Sequence, residues 1–190
     1  MDSFKFDFFD FVGAAIPGIP ILILSCFSVT STTFSFENLV ITLKSISITE
    51  VSLAILISYC IGFCLHYPAY ELFQLIMKKW DSKRTKGLPI SIGKREKELV
   101  TIRHKSPENF RIISKFLALR QMSYTMFISL LICFTALLNL WIIYGVCSRS
   151  VLTALFLTSI FGFLFLRRSV AFHQRIQEMI TESHEFSLRH

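Results

Sequence analysis

The chain reads as an all-α polytopic membrane protein, with four transmembrane helices and cytoplasmic helical extensions. Four long apolar stretches lie at 11–29, 51–77, 121–147 and 150–166, and runs of about 18 or more apolar residues match the hydrocarbon thickness of a bilayer. Hydrophobic residues make up 53% of the 190, including 20 Phe, and they are clustered in blocks. A soluble core would instead spread them along periodic faces. The basic charge is equally concentrated. Between residues 78 and 120 thirteen Lys and Arg face four acids (Asp81, Glu96, Glu98 and Glu108), a local net of +9 against +7 for the whole chain. The units that follow are an N-terminal interfacial segment with two spans (1–77), a basic cytoplasmic segment (78–120), the third and fourth spans (121–166) and a cytoplasmic C-terminal helix (167–190).

Phe4, Phe6, Phe8, Phe9 and Phe11 alternate with Asp and Lys, an amphiphilic entry suited to the headgroup region. Asp2, Asp7 and Asp10 stand where a secretory signal would carry Lys or Arg, so no cleaved signal is expected. In the first span Gly13, Pro17, Gly18 and Pro20 interrupt the helix. The carbonyls that proline frees need protein partners in lipid, so this side should face a neighbouring helix. It reads as a tolerated kink, with a hinge as the functional alternative.

Residues 30–50, rich in Ser and Thr with Lys44 against Glu37 and Glu50, fit an external loop with some β character or an interfacial helix. The second span, 51–77, exceeds the hydrocarbon requirement, which places His66, Pro68 and Glu71 toward the inner interface. Beyond it, Gly87-Leu88-Pro89 and Gly93 are breakers. Leu88–Ile92 and Leu99–Arg103 then pair as a small hairpin or, alternatively, the segment forms a single amphipathic turn. Ser106-Pro107-Glu108 supplies a capping hydroxyl, a proline suited to the first helical position and an acid for the first turn. With no Gly or Pro before Gly145, one helix is expected from there through the third span.

Trp141 and Tyr144 mark the outer interface, Ser148-Arg149-Ser150 a tight turn, and Arg167-Arg168 the inner end of the fourth span, with helix expected to about Ser187. The loops opposite the basic segment carry only Lys44 and Arg149. The positive-inside rule therefore puts both termini in the cytoplasm of a cell inside its inner membrane.

Chemistry-bearing residues are few. Cys26, Cys60, Cys64, Cys133 and Cys147 fall in or beside the apolar blocks without metal-ligand spacing, so they read as packing residues. No metal and no cofactor is expected, and the expected role is not enzymatic. His66 and Glu71 are ionisable groups in or beside a span, hence candidates for a proton-sensitive pair or an aqueous path. Asn139 is an amide in apolar sequence, where a partner on another helix would relieve its cost. Ser52, Ser58, Thr135, Thr153 and Thr158 add hydroxyls within the spans. Lys78, Lys79, Lys83, Arg84, Lys86, Lys94 and Arg95 are the candidates for docking lipid or a partner. Nucleic acid is disfavoured, since only Trp80, Phe110 and Phe116 interleave the charges.

At the C-terminal end Phe172, Ile176, Met179, Ser183 and Phe186 recur at spacings of four, three, four and three. That seam suits either subunit association below the membrane or packing on the segment's own cytoplasmic neighbours. In the same segment Arg168-Ser-Val-Ala-Phe-His173 resembles the Arg/His signature of the HEPN ribonucleases. Positions i and i+5 on a helix point about 140° apart, so such a site would need a second subunit.

Phe8-Phe9-Asp10-Phe11 leading into Ile16-Pro17-Gly18, followed by a second span and a basic segment, resembles small four-span bacterial membrane proteins of anti-phage defence. These include the accessory membrane proteins of type VI-B CRISPR systems, whose likeness rests on Arg168 and His173, and the membrane subunit of the Kiwa system. The resemblance implies an oligomeric pore-forming or membrane-sensing effector partnered with a cytosolic defence protein. Two alternatives remain, a non-conducting scaffold that recruits a cytosolic protein and a membrane-anchored ribonuclease.

Overall fold

The computed structural model describes residues 8–29, 37, 40–41, 44, 47–84, 92–142, 145 and 149–189. Nearly all of these are helical, and no strand occurs among them. Among the described residues five helices are delimited: α1 (Phe8–Val29), α2 (Ile48–Arg84), α3 (Ile92–Lys105), α4 (Pro107–Ile142) and α5 (Arg149–Arg189). Among the described residues, three helical segments are long and apolar enough to cross a membrane: Ile48–Lys78, Pro107–Ile142 and Arg149–Ser183. Gly13–Cys26 of α1 is a shorter apolar helix.

Helix direction follows from who touches whom. Gly18 of α1 abuts Ser58 of α2 and Ala14 abuts Gly62, so α1 and α2 are antiparallel. Gly13 lies beside Met122 while Leu24 packs on the Leu137 cluster, so α1 runs parallel to α4. Leu137 meets Val151 at one end of α4 and Ile113 meets Ile176 at the other, so α4 and α5 are antiparallel. The result is an up-down arrangement in which α4 touches every other described helix, with α3 at one end of the molecule.

Local chemistry explains the element boundaries. Ser47 and Glu50 close the start of α2 reciprocally: the Ser47 amide donates to Glu50 Oε2 at 2.7 Å and the Glu50 amide to Ser47 Oγ at 3.3 Å. The two side chains also bond at 2.8 Å. This capping box satisfies donors that the first helical turn leaves open. Pro107 lacks an N–H and clashes with a carbonyl one turn back, so α3 ends and α4 begins around the single residue Ser106. Between α4 and α5, Gly145 takes a φ of 65°, the left-handed conformation that glycine adopts without a Cβ penalty.

One expectation is corrected here, and one open choice is narrowed. Ile92 and Leu99–Arg103 lie in helix α3, so they do not form the small hairpin, and Gly87–Ser91 lie outside the described residues. Leu99 and Ile102 share one helical side and pack on Ile113, Ile176 and Ile180, which a strand period could not achieve. Within residues 30–50, the described positions Glu37, Val40, Ile41 and Lys44 have helical backbone, favouring the helix over the loop with β character.

The open choice at the C-terminal seam is also resolved within one chain. Ile176, Ile180 and Ser183 are buried, Met179 packs against the same cluster, and Phe172 meets Phe116 edge-on at 5.8 Å. The side chain of Phe186 lies outside the described residues. The seam is filled by α3 and the first turns of α4, leaving those residues unavailable to a second copy.

The remaining apolar surface points outward. Phe63, Phe156 and Phe163 are about two-thirds exposed, at 65%, 66% and 65%, and Leu56, Leu75, Ile160 and Leu164 are also exposed. Exposed large apolar side chains in this number on long helices have lipid as their natural solvent.

Candidate functional site

One group of polar side chains from the three long helices meets at a single level, where the apolar part of the bundle gives way to the end that carries α3. Each side chain arrives on a different helix. His66, Tyr70 and Phe73 stand on one side of α2, spaced four and three residues apart; Arg120 and Tyr124 share a side of α4; His173 comes from α5.

Rings stack in sequence across the helices. His66 lies on Tyr124 with ring centroids 5.7 Å apart and an interplanar angle of 19°, and His66 Nδ1 is hydrogen-bonded to the Tyr124 hydroxyl at 3.2 Å. Phe73 stacks on Tyr124 at 5.4 Å, Tyr70 tilts against it at 6.4 Å, and Phe73 meets the His173 ring edge-on at 5.9 Å. Arg120 closes the series: its Nη1 lies 3.1 Å from His173 Nδ1. A guanidinium can only donate, so His173 accepts at Nδ1 and carries its ring proton on Nε2 in the neutral form.

The inventory of this cluster is unbalanced. Arg120 Nε is sealed from solvent without an acceptor, and among the described residues no acid pairs with Arg120. Tyr124, Ala69, Phe73, Met77, Ile128 and Val170 form the buried apolar wall beside it. The arrangement can therefore hold negative charge or position a polar group between helices. No group of His, Cys, Asp and Glu fit to hold a metal ion occurs among the described residues.

The residues singled out from sequence fall in several places. His66 is half-buried in this cluster, but Glu71 is exposed on α2, so the two are not brought together. Asn139 is exposed on α4, not buried against another helix of the chain. Arg168 is exposed and lies over the Phe172 ring at 5.3 Å, while His173 is engaged by Arg120; the Arg168/His173 pair does not converge within one subunit. Lys78 is exposed. Lys79, Lys83, Arg84, Lys94 and Arg95 have helical backbone with side chains outside the description, and Lys86 lies outside the described residues.

The span hydroxyls are mostly spent on their own helices. Ser52 donates to Ile48 O at 3.0 Å, Thr135 to Ile132 O at 2.9 Å, Thr153 to Arg149 O at 2.9 Å and Thr158 to Ala154 O at 2.8 Å. Ser58 is buried at the contact with Gly18.

Sequence reading missed Arg120 and Tyr124. In the basic segment Arg120 looks like one topology charge among thirteen. The available signal was its position: it is the last cation before 28 residues without a formal charge, four positions ahead of a tyrosine on the same helical side. No family model matches the chain, and neither does any curated protein or solved structure.

Proposed function

We propose that this chain is a four-span inner-membrane protein, with both termini and the α3 region in the cytoplasm, that senses the state of the bilayer and relays it to a cytosolic partner. The setting we propose is bacterial anti-phage defence, on the strength of the sequence resemblance. One observation carries the reading. Helices α4 and α5 run without interruption from the apolar bundle into the packed α3 region, with the Arg120/His173/Tyr124/His66 cluster at the junction. At 1.5 Å per residue α4 alone is about 54 Å long, well beyond a hydrocarbon core of about 30 Å.

The pore reading has less support. The hydroxyls that would wet a lumen bond to their own backbones, and the C-terminal seam that would gather subunits is occupied by α3. The ribonuclease reading has less still, because His173 is held by Arg120 and not by Arg168.

The test uses the full chain in liposomes. Osmotic swelling should raise hydrogen exchange in residues 98–117 while the same vesicles stay impermeable to a fluorescent ion indicator. Swelling-dependent ion flux with unchanged exchange would instead establish a conducting pore.

A further inference from the structure

We propose that Arg120 anchors a site for a phosphate oxyanion at the inner edge of the bundle, and that its occupant is the headgroup of an anionic phospholipid of the inner leaflet. The inference rests on the membrane-sensing reading and names the ligand of that same junction.

Three observations lead to it. Arg120 is a half-buried permanent cation among aromatic rings, and among the described residues no carboxylate offsets its charge. Taking a guanidinium out of water without a counter-charge is costly, and an anion supplied from outside removes that cost. Secondly, its donors are underused. Of its five N–H groups, Nη1 reaches a neutral imidazole nitrogen and Nε finds no acceptor. Phosphate oxygens match the planar fork of Arg better than they match a lysine.

The third observation is depth. Arg120 immediately precedes the charge-free run of α4, and its antiparallel partner α5 brings His173 to it only five residues beyond Arg168, at the end of the fourth apolar stretch. Arg167 and Arg168 are exposed on the outer surface at this level and serve as unspecific headgroup anchors. Arg120 faces inward between α2, α4 and α5, where Tyr70 offers a further hydroxyl, the Tyr124 hydroxyl is bonded to His66 and Phe73 supplies an apolar wall. Glu71, the acid of α2 nearest in sequence to Tyr70, is exposed. A phosphate with acyl chains attached suits the end of an apolar bundle whose long helices expose Phe and Leu side chains.

The experiment is native mass spectrometry of the full chain, stripped of lipid in detergent and titrated with phosphatidylglycerol, phosphatidylcholine or inorganic phosphate. The wild type should retain phosphatidylglycerol at concentrations about tenfold below those for phosphatidylcholine. Arg120→Gln should lose that preference, Arg120→Lys should keep part of it, and Arg149→Gln, an exposed cation at the opposite end of α5, should keep all of it. An undiminished preference in a helical, monodisperse Arg120→Gln protein overturns the proposal. Should that variant fail to fold, a headgroup-photoactivatable phosphatidylglycerol on the wild type decides: adducts within 116–124 or 169–176 support the site, and adducts confined elsewhere overturn it. Retention of inorganic phosphate with no preference among lipids supports the oxyanion site but overturns the lipid as its occupant. Lipid retention in detergent involves no swelling of a bilayer, so its outcome is separable from the exchange response of residues 98–117.

Discussion

The α-carbon of Gly18 lies flush against the Ser58 carbonyl, so close that a Cβ there would collide with the backbone of α2. Four residues away on each helix the contact repeats in reverse, with Gly62 against the Ala14 carbonyl. Small residues at four-residue spacing on both helices let the two backbones touch, and in lipid such packing replaces the hydrophobic drive that water would supply. Pro17, fully buried beside this contact, sits where the carbonyl it deprives of a partner is covered by protein.

Gly62→Leu should therefore force α1 and α2 apart. The expected loss is about 1–3 kcal/mol, the usual cost of overpacking a tight contact. Steric-trap or denaturant unfolding in detergent measures it, and Phe63→Leu, on the exposed side of the same helix, should be nearly neutral.

Arg120 and His173 should be energetically coupled. A double-mutant cycle of Arg120→Gln with His173→Gln should give a coupling of about 0.5–3 kcal/mol, as for residues in one hydrogen-bonded network. The matching cycle of Arg168→Gln with His173→Gln should be additive, because Arg168 rests on Phe172. Coupling confined to the second cycle would revive the nuclease-like pair.

How much of this was legible beforehand depends on the kind of signal. The start of α4 follows from Ser106-Pro107-Glu108, since proline at the first helical position costs nothing there, and the helix starts at Pro107. Helix α3 was obscured by Gly93 and Pro89, which count as breakers in any local reading, whereas the apolar seam that stabilises α3 belongs to α4 and α5. The seam Phe172/Ile176/Met179/Ser183 is visible as spacing, but spacing does not name its partner. For His66 and Arg120 the same limit holds: the sequence places an ionisable group near an interface, and only packing between α2, α4 and α5 selects Tyr124 and His173 as their partners. The capping box Ser47-Ile48-Thr49-Glu50 and the paired small residues Ala14/Gly18 and Ser58/Gly62 were open to a pattern reading, because each follows from a fixed four-residue geometry.

Ile113→Ala should destabilise the α3 region. Ile102, Ile113, Ile176 and Ile180 form its buried centre, and truncating such an isoleucine costs about 2–5 kcal/mol. Hydrogen exchange across 98–105 should rise sharply. Ile112→Ala, at an exposed neighbour, should stay within about 0.5 kcal/mol of wild type.

Glu50→Ala should fray the first turn of α2. It removes acceptors for the Ser47 amide and hydroxyl, and the loss of a helix N-terminal cap of this kind costs about 0.5–2 kcal/mol. Amide exchange at residues 47–52 should rise, with no change around Arg120.

The single residue between α3 and α4 leaves little slack at that corner, and α5 clamps both across Ile176 and Ile180. From Arg120 to Pro107 this gives α4 a stiff lever arm of about 20 Å. A tilt of about ten degrees at the junction, well inside the range that bilayer thickness imposes on helices, would swing the far corner by some 3 Å. Under the sensing role proposed above, that corner is where a small change in lipid thickness would be magnified into a displacement large enough for a soluble protein to feel.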